Sequence, residues 1–213
     1  MNIAASLALL ASTASAFNAF APKKSANKIT APTFSLDTIP GALAPAGLFD
    51  PLGLGAKADE KTLKRYREAE LTHGRVAMLA TIGFLVGEAV EGSSFLFDAQ
   101  ISGPAISHLA QVPPVFWILL TTAIGAAEQK RAEIGWVEPE NVPVSQPGLL
   151  RDSYIPGDLG FDPLGLKPSD PEELRILQTK ELQNGRLAML AAAGFMAQEL
   201  TDGKGILEHL FSS

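Results

Sequence analysis

The sequence predicts an all-α membrane protein with three transmembrane helices, the first and third pseudo-symmetric and crossing, plus short amphipathic helices. Three observations lead there. The chain of 213 residues is 46 % hydrophobic, carries only 19 % charged residues and holds 19 Gly, an apolar balance for a soluble domain. A pair of motifs in its first half returns in its second half. The apolar stretches after each motif are rich in small residues, which let helix backbones approach closely inside a membrane. The absence of Cys excludes disulfide scaffolds, cysteine zinc sites and thiol nucleophiles. Seventeen Lys and Arg against 23 Asp and Glu leave a net charge of −6 and no basic surplus for nucleic acid.

The first 16 residues, MNIAASLALLASTASA, form an apolar run ending in Ala14-Ser15-Ala16, which reads as a secretory signal peptide cleaved before Phe17. Residues 17–35 carry Lys23, Lys24 and Lys28 and no acid, the composition of a transit segment. A signal peptide joined to such a segment resembles the bipartite address of diatoms and related algae with secondary plastids. The remaining stretch, 36–213, is expected to be a single domain with helices near 60–91, 114–134 and 171–201.

The repeat organises that domain. Phe49-Asp50-Pro51-Leu52-Gly53-Leu54 recurs as Phe161-Asp162-Pro163-Leu164-Gly165-Leu166, a loop and turn element by its Asp-Pro and Gly. Downstream of the first copy stands Glu70-Leu71-Thr72-His73-Gly74-Arg75, and of the second Glu181-Leu182-Gln183-Asn184-Gly185-Arg186. Both run on to a Gly-Phe pair and an acid, Glu88 or Glu199. Between them, Val115 to Ala127 is a third apolar segment, introduced by Pro113-Pro114 and closed by Glu128-Gln129-Lys130-Arg131. Basic residues gather at the start of the first helix (Lys61, Lys64, Arg65, Arg67) and at the end of the second (Lys130, Arg131), so the positive-inside rule puts the N-terminus on the stromal side of a plastid membrane and the C-terminus in the lumen.

Only 12 residues separate Arg75 from Glu88, about 18 Å of helix against a hydrocarbon core of about 30 Å. The bounding charges must then lie within the membrane and be neutralised, and an intramembrane ionisable group implies a function and a partner. Pseudo-symmetry names the partners: Glu70 with Arg186, and Glu181 with Arg75. An Arg fork can hold one carboxylate oxygen and leave the other free for a further bond. His73 and Asn184 follow those glutamates by three residues, on the same helix face. Such single axial donors suit a magnesium tetrapyrrole, whose ring supplies four nitrogens to a hard ion. A merely structural interhelical salt bridge is the alternative reading of the pairs. A carboxylate metalloenzyme is another, since Glu70-x-x-His73 is a di-iron bundle motif, although Asn184 stands where the second His is needed. No phosphate loop or catalytic triad stands out, so no enzyme is expected.

The pair ELTHGR and ELQNGR, each preceded by FDPLGL, resembles the chlorophyll a/b and chlorophyll a/c light-harvesting superfamily from about Gly47 to the C-terminus. The resemblance implies Glu70, His73, Glu181 and Asn184 as chlorophyll ligands, with Gln198 as a further one whose counterpart, Gly87, offers no donor. It also implies Glu128 as a ligand with Arg131 as countercharge, His209 as a C-terminal ligand and His108 as a weaker candidate. The second helix carries Leu120 near the place of the family's other ligand there. The stretches TLKRYREAELTHGRVAMLA and PSDPEELRILQTKELQNGRLAML are similar to the stress-related LHCX group of diatoms and the green-algal LHCSR proteins, which implies photoprotective heat dissipation; an ordinary fucoxanthin-chlorophyll antenna uses the same ligands. The implied cofactors are chlorophyll a, chlorophyll c, fucoxanthin and diadinoxanthin/diatoxanthin. The implied partners are thylakoid lipids, photosystem I or II and other fucoxanthin-chlorophyll proteins. On the lumenal side Glu88, Glu91, Asp98, Glu199, Asp202 and Glu208 cluster against Lys204 alone. Clustered carboxylates at a low-dielectric boundary favour the neutral form, so they are candidate sensors of lumenal acidification; solvated helix ends are the alternative.

Overall fold

The computed structural model describes residues 34–36, 39–44, 47–91, 101–143 and 148–211. The expected signal peptide, nearly all of the transit segment and Asp98 lie outside them. Among the described residues the chain is helical and has no strand. The helices are α1 (Glu60–Ala89), α2 (Ala105–Gln111), α3 (Pro114–Gly135), α4 (Pro171–Asp202) and α5 (Ile206–Phe211), with a 3-10 turn at Pro139–Asn141.

The repeat is visible from the first residue of each long helix. Asp59 caps α1 by accepting from the Thr62 N–H, and Asp170 caps α4 by accepting from the Glu173 N–H, each satisfying an orphan donor of the first turn. Pro171 occupies the first position of α4, where its missing N–H costs nothing. α1 and α4 then pack together along small residues. Gly74 and Gly185 meet backbone to backbone: a Cβ on either would stand 3.0 Å from the other's Cα. Ala77 and Ala188 are buried beyond them, and Phe84 and Phe195 meet edge to face with ring centroids 6.0 Å apart. Each contact joins equivalent positions of the two repeats.

The described chain divides into two compact units, the smaller within 160–166 and the larger within 33–159 and 167–213. In the first, the described part is the turn Gly160–Leu166, where the Asp162 carboxylate accepts from the Leu166 N–H at 2.9 Å. The second contains the other copy of this turn, where Asp50 accepts from the N–H groups of Leu54, Gly55 and Ala56. In both copies the polar backbone is tied to the aspartate while Phe49, Leu52 and Leu54, or Phe161, Leu164 and Leu166, are exposed.

Exposure of apolar side chains extends along the helices. Val76, Leu79, Ile82 and Val86 form an outward stripe on α1, Leu187, Leu190 and Leu200 one on α4, and Val115, Ile118, Leu119 and Ile124 one on α3. Among the described residues no large side chain is wholly buried. Apolar area on this scale marks a surface meant for lipid, ligand or partner. No single helix is long and apolar enough to cross a membrane by itself, while α2 and α3 meet that test together across a bend of 104°. The Trp117 indole N–H donates to the Leu109 carbonyl across this bend at 3.1 Å.

The Gly74–Gly185 contact leaves no room for a methyl group. Gly185→Ala is expected to lower stability by about 1–3 kcal/mol, seen as a lower midpoint of thermal unfolding by circular dichroism. Gly194→Ala, in open space on the same helix, is expected to change it by no more than about 1 kcal/mol, in the stabilising direction.

Candidate functional site

Glu70 and Glu181 occupy equal places in α1 and α4, one turn before the glycine contact. The close approach brings each within reach of an arginine on the other helix. Arg186 donates from Nε to Glu70 Oε1 at 2.8 Å, and Arg75 from Nε to Glu181 Oε1 at 2.7 Å. Each arginine also donates a terminal N–H to a loop carbonyl, Arg186 to Gly41 and Arg75 to Gly157, both at 2.9 Å. Those glycines adopt left-handed backbones, with φ of 113° and 83°. A Cβ at Gly41 would strike Leu182, and one at Gly157 would stand 2.7 Å from Leu71 Cδ1. Leu71 and Leu182 are themselves equivalent in the repeat. The glycines end two copies of Ile-Pro-Gly, 39–41 and 155–157, an extension of the repeat that the sequence reading missed although it stands in plain view upstream of each FDPLGL.

The two pairs differ in their remaining oxygens. Glu70 Oε2 accepts from Arg67 Nη1 at 3.0 Å, so a second guanidinium shares that carboxylate. Glu181 Oε2 accepts no hydrogen bond among the described residues. His73 Nδ1 lies 2.7 Å from the Ala69 carbonyl. A carbonyl only accepts, so Nδ1 carries the proton and Nε2 is left on an exposed face. Asn184 is exposed at the equivalent place in α4. Gln198 presents a buried Nε2 with no hydrogen-bond partner, and a flip of the amide would place its oxygen there. On α3, Arg131 donates to Glu128 Oε2 from Nε and Nη2, both at 2.8 Å, which leaves the other oxygen outward.

At the far ends of α1 and α4 the repeat returns in a form the sequence reading did not foresee. Glu88 accepts from the N–H groups of Ile206 and Leu207 at 2.6 and 2.7 Å, and so caps α5. Glu199, 2 % exposed, accepts from the Ile106 N–H at 2.8 Å and so caps α2. Glu91 accepts from the Gly103 N–H at 2.8 Å. These three are thus engaged by backbone donors. Asp202 pairs with His209 Nδ1 at 3.4 Å, and Glu208 is exposed. His108 turns Nε2 to the Gly103 carbonyl at 2.7 Å and lays Nδ1 over Gly87, 3.4 Å from where a Cβ would stand. It thereby fills the space that the missing side chain of Gly87 leaves.

Residues 35–200 match the family model described as chlorophyll A-B binding protein. The chain belongs to the chlorophyll a/b-binding protein family. It is 54 % identical to light-harvesting complex stress-related protein 1 of Chlamydomonas reinhardtii over 176 residues, 81 % of this chain and 68 % of that protein. The same chain spans 66 % of the stress-related proteins 3.1 and 3.2 of that alga. It is 47 % identical to a fucoxanthin-chlorophyll a-c binding protein of Isochrysis galbana over 197 residues, 92 % of this chain and 93 % of that one. It is 35 % identical to the fucoxanthin-chlorophyll a-c binding protein F of Phaeodactylum tricornutum over 204 residues.

As a member of the chlorophyll a/b-binding family the protein is a pigment-binding protein, not an enzyme. Its donor set fits that group. An imidazole Nε2, a carboxylate oxygen and amide oxygens are each single donors of the kind an axial site on magnesium takes. They stand singly, the Gln198 amide buried and the others at helix surfaces, and among the described residues no three His, Asp or Glu side chains converge on one metal.

The Ile-Pro-Gly loop holds the arginine that holds the glutamate. Gly157→Ala is expected to cost about 2–4 kcal/mol of stability, from left-handed strain plus the displaced Leu71. Gly47→Ala, with a φ of 62° but open space around it, is expected to cost about 1–2 kcal/mol. Thermal unfolding of the two variants side by side checks the difference.

Proposed function

We propose that this protein is a thylakoid chlorophyll- and carotenoid-binding protein whose main task is to dissipate excess excitation as heat, alongside excitation transfer. The observation that carries the reading is the doubled Glu–Arg brace across the Gly74–Gly185 contact. It neutralises charge in the middle of an apolar helix pair and leaves donor atoms facing outward. Chlorophyll, when bound, supplies an absorbing ring whose magnesium takes one axial ligand. The chain's part is to hold those rings in fixed positions. Glu70, His73, Glu128, Glu181, Asn184 and Gln198 are the ligands in this reading, with Arg186, Arg131 and Arg75 as charge partners of the glutamates. His209 and His108 are lesser ligands. His73 and Asn184 ligate with no charge to balance, so they need no arginine.

In this reading α1, α3 and α4 span the thylakoid membrane, α1 crossing α4, with the N-terminus stromal and the C-terminus lumenal. Residues 1–16 and 17–35 are the two-part plastid address. The exposed apolar stripes meet lipid and the polyene chains of fucoxanthin and diadinoxanthin/diatoxanthin, and the chlorophylls are a and c. The associated complexes are photosystem I or II and other fucoxanthin-chlorophyll proteins. The names of the Chlamydomonas relatives, stress-related proteins, favour dissipation over plain light harvesting.

The carboxylates at the lumenal end give the dissipation its pH dependence. Glu88 and Glu199 accept backbone N–H groups, and protonation weakens an acceptor of this kind. As the lumen acidifies, the caps of α5 and α2 loosen, with His108, His209, Asp202, Lys204, Glu91 and Glu208 as the other titratable groups at that end. Such a change biases a two-state packing.

Three experiments check the proposal. Refolding with pigments is expected to give a coloured complex, with His73→Leu and Glu181→Gln each losing one chlorophyll; a colourless wild type would sink the reading. In cells, loss of the protein is expected to remove heat dissipation in strong light. Loss of absorption cross-section with dissipation intact would instead identify a plain antenna. Glu88→Gln with Glu199→Gln is expected to flatten the response of dissipation to pH, and an unchanged pH curve would remove the sensor role.

A further inference from the structure

Glu68 lies on α1 two residues before Glu70, and its counterpart in α4 is Thr179. It therefore falls outside the repeat. Yet it is 3 % exposed and is held by three donors from two other parts of the fold. Arg131 of α3 donates from Nη1 to Glu68 Oε1 at 3.1 Å. The Tyr154 hydroxyl and the Gly157 N–H donate to Oε2 at 2.9 and 2.8 Å. Burial, and after it the Glu68 carboxylate, push the Tyr154 phenol well above its ordinary pKa, so it remains a donor across the physiological range.

Two of the three contacts of Glu68 lead onward to a glutamate with an oxygen to spare. Arg131 also donates to Glu128 at 2.8 Å and to the Thr72 hydroxyl at 2.9 Å. The Gly157 carbonyl receives Arg75, whose Nε holds Glu181 at 2.7 Å. One buried carboxylate thus anchors the arginine behind Glu128 and the loop behind Glu181, while the Glu70–Arg186 pair rests on Gly41 and Arg67 instead. A buried charge is costly unless every lone pair is used well, and here the bonds it makes tie α1 to α3 and to the 154–157 loop.

We infer that Glu68 is a positioning residue that sets the Glu128 and Glu181 carboxylates for their pigments and leaves Glu70 untouched. The inference rests on the pigment-ligand reading above. It makes the α3 site and one of the two brace sites a linked pair, through a residue that touches no pigment itself.

The test is refolding of the full chain with chlorophyll and carotenoid, followed by pigment stoichiometry and low-temperature absorption. Glu128→Gln, Glu181→Gln and Glu70→Gln first define the band each ligand contributes. Glu68→Ala is expected to lose or shift the Glu128 and Glu181 bands and to keep the Glu70 band. In Glu68→Gln the amide oxygen faces Tyr154 and Gly157 and its NH₂ faces Arg131, so the Glu181 band is expected to return and the Glu128 band to stay altered. This second variant decides the matter if the alanine variant does not refold. Because the chain has no Cys, spin labels introduced at the exposed Tyr66, Ile134 and Ile176 positions report helix distances without background. Glu68→Gln is expected to lengthen the Tyr66–Ile134 distance between α1 and α3 and to leave the Tyr66–Ile176 distance between α1 and α4 unchanged. An equal loss of all three bands would overturn the inference and leave Glu68 as a general brace. So would unchanged Glu128 and Glu181 bands in Glu68→Gln, with the ligand reading intact. If Glu128→Gln and Glu181→Gln themselves lose no pigment, that reading falls and this inference with it.

Discussion

Where α1 and α4 touch, Gly74 and Gly185 bring the two backbones together, and this separation decides whether Arg75 reaches Glu181 and Arg186 reaches Glu70. A side chain at either glycine would push the helices apart, and an unpaired glutamate in an apolar helix pair is a heavy cost. The contact and the ion pairs therefore depend on each other. Van der Waals packing of small residues supplies the approach, and the charge-assisted bonds reward it with direction. Each arginine is held at both ends, by a glutamate and by a loop carbonyl, which fixes the carboxylate more tightly than the salt bridge alone would.

The rest of the structure is arranged around that brace with its apolar side chains outward. A soluble helix pair of this size would bury its Leu, Ile and Val; here they line the outer faces of α1, α3 and α4. The inner faces hold Gly, Ala and charged groups satisfied by one another, with few large side chains such as Leu63 and Leu182. Such a distribution suits surroundings of lipid, pigment or a partner protein, since in water it would be a large uncompensated exposure. The same logic governs the two FDPLGL turns, which tie down their polar atoms with one aspartate and present their Phe and Leu side chains.

The pseudo-two-fold relation reaches further than the helices. It includes the Asp59 and Asp170 caps, the Gly41 and Gly157 carbonyls, and the glutamates Glu88 and Glu199 that cap α5 and α2. Departures from it are informative. Arg67 engages Glu70 with no counterpart at Glu181, and Glu68 ties α3 and the 154–157 loop to one helix only. The pair is thus symmetric in its core and asymmetric at the end where α1 and α4 begin, which makes the two brace sites electrostatically unlike.

The sequence by itself determined the helical class, the internal repeat and the partners of the ion pairs, because each is carried by residue type at a fixed spacing: Glu70 and Arg75 recur as Glu181 and Arg186, and charge neutrality in an apolar stretch then leaves one pairing. It also placed Arg131 beside Glu128, three residues apart on one helix. What only the tertiary structure decided are bonds between segments with no spacing relation. Glu68 gave no signal, since a glutamate in a charged stretch at a helix start looks solvated until Tyr154, Gly157 and Arg131 close over it. Glu88 and Glu199 read as clustered acids, sensors or solvated helix ends, for the same reason, because a capping carboxylate is recognised by the helix it caps, and that helix begins far away along the chain. Local pattern fixes which groups must be neutralised, and only the folded arrangement fixes which distant N–H or guanidinium does it.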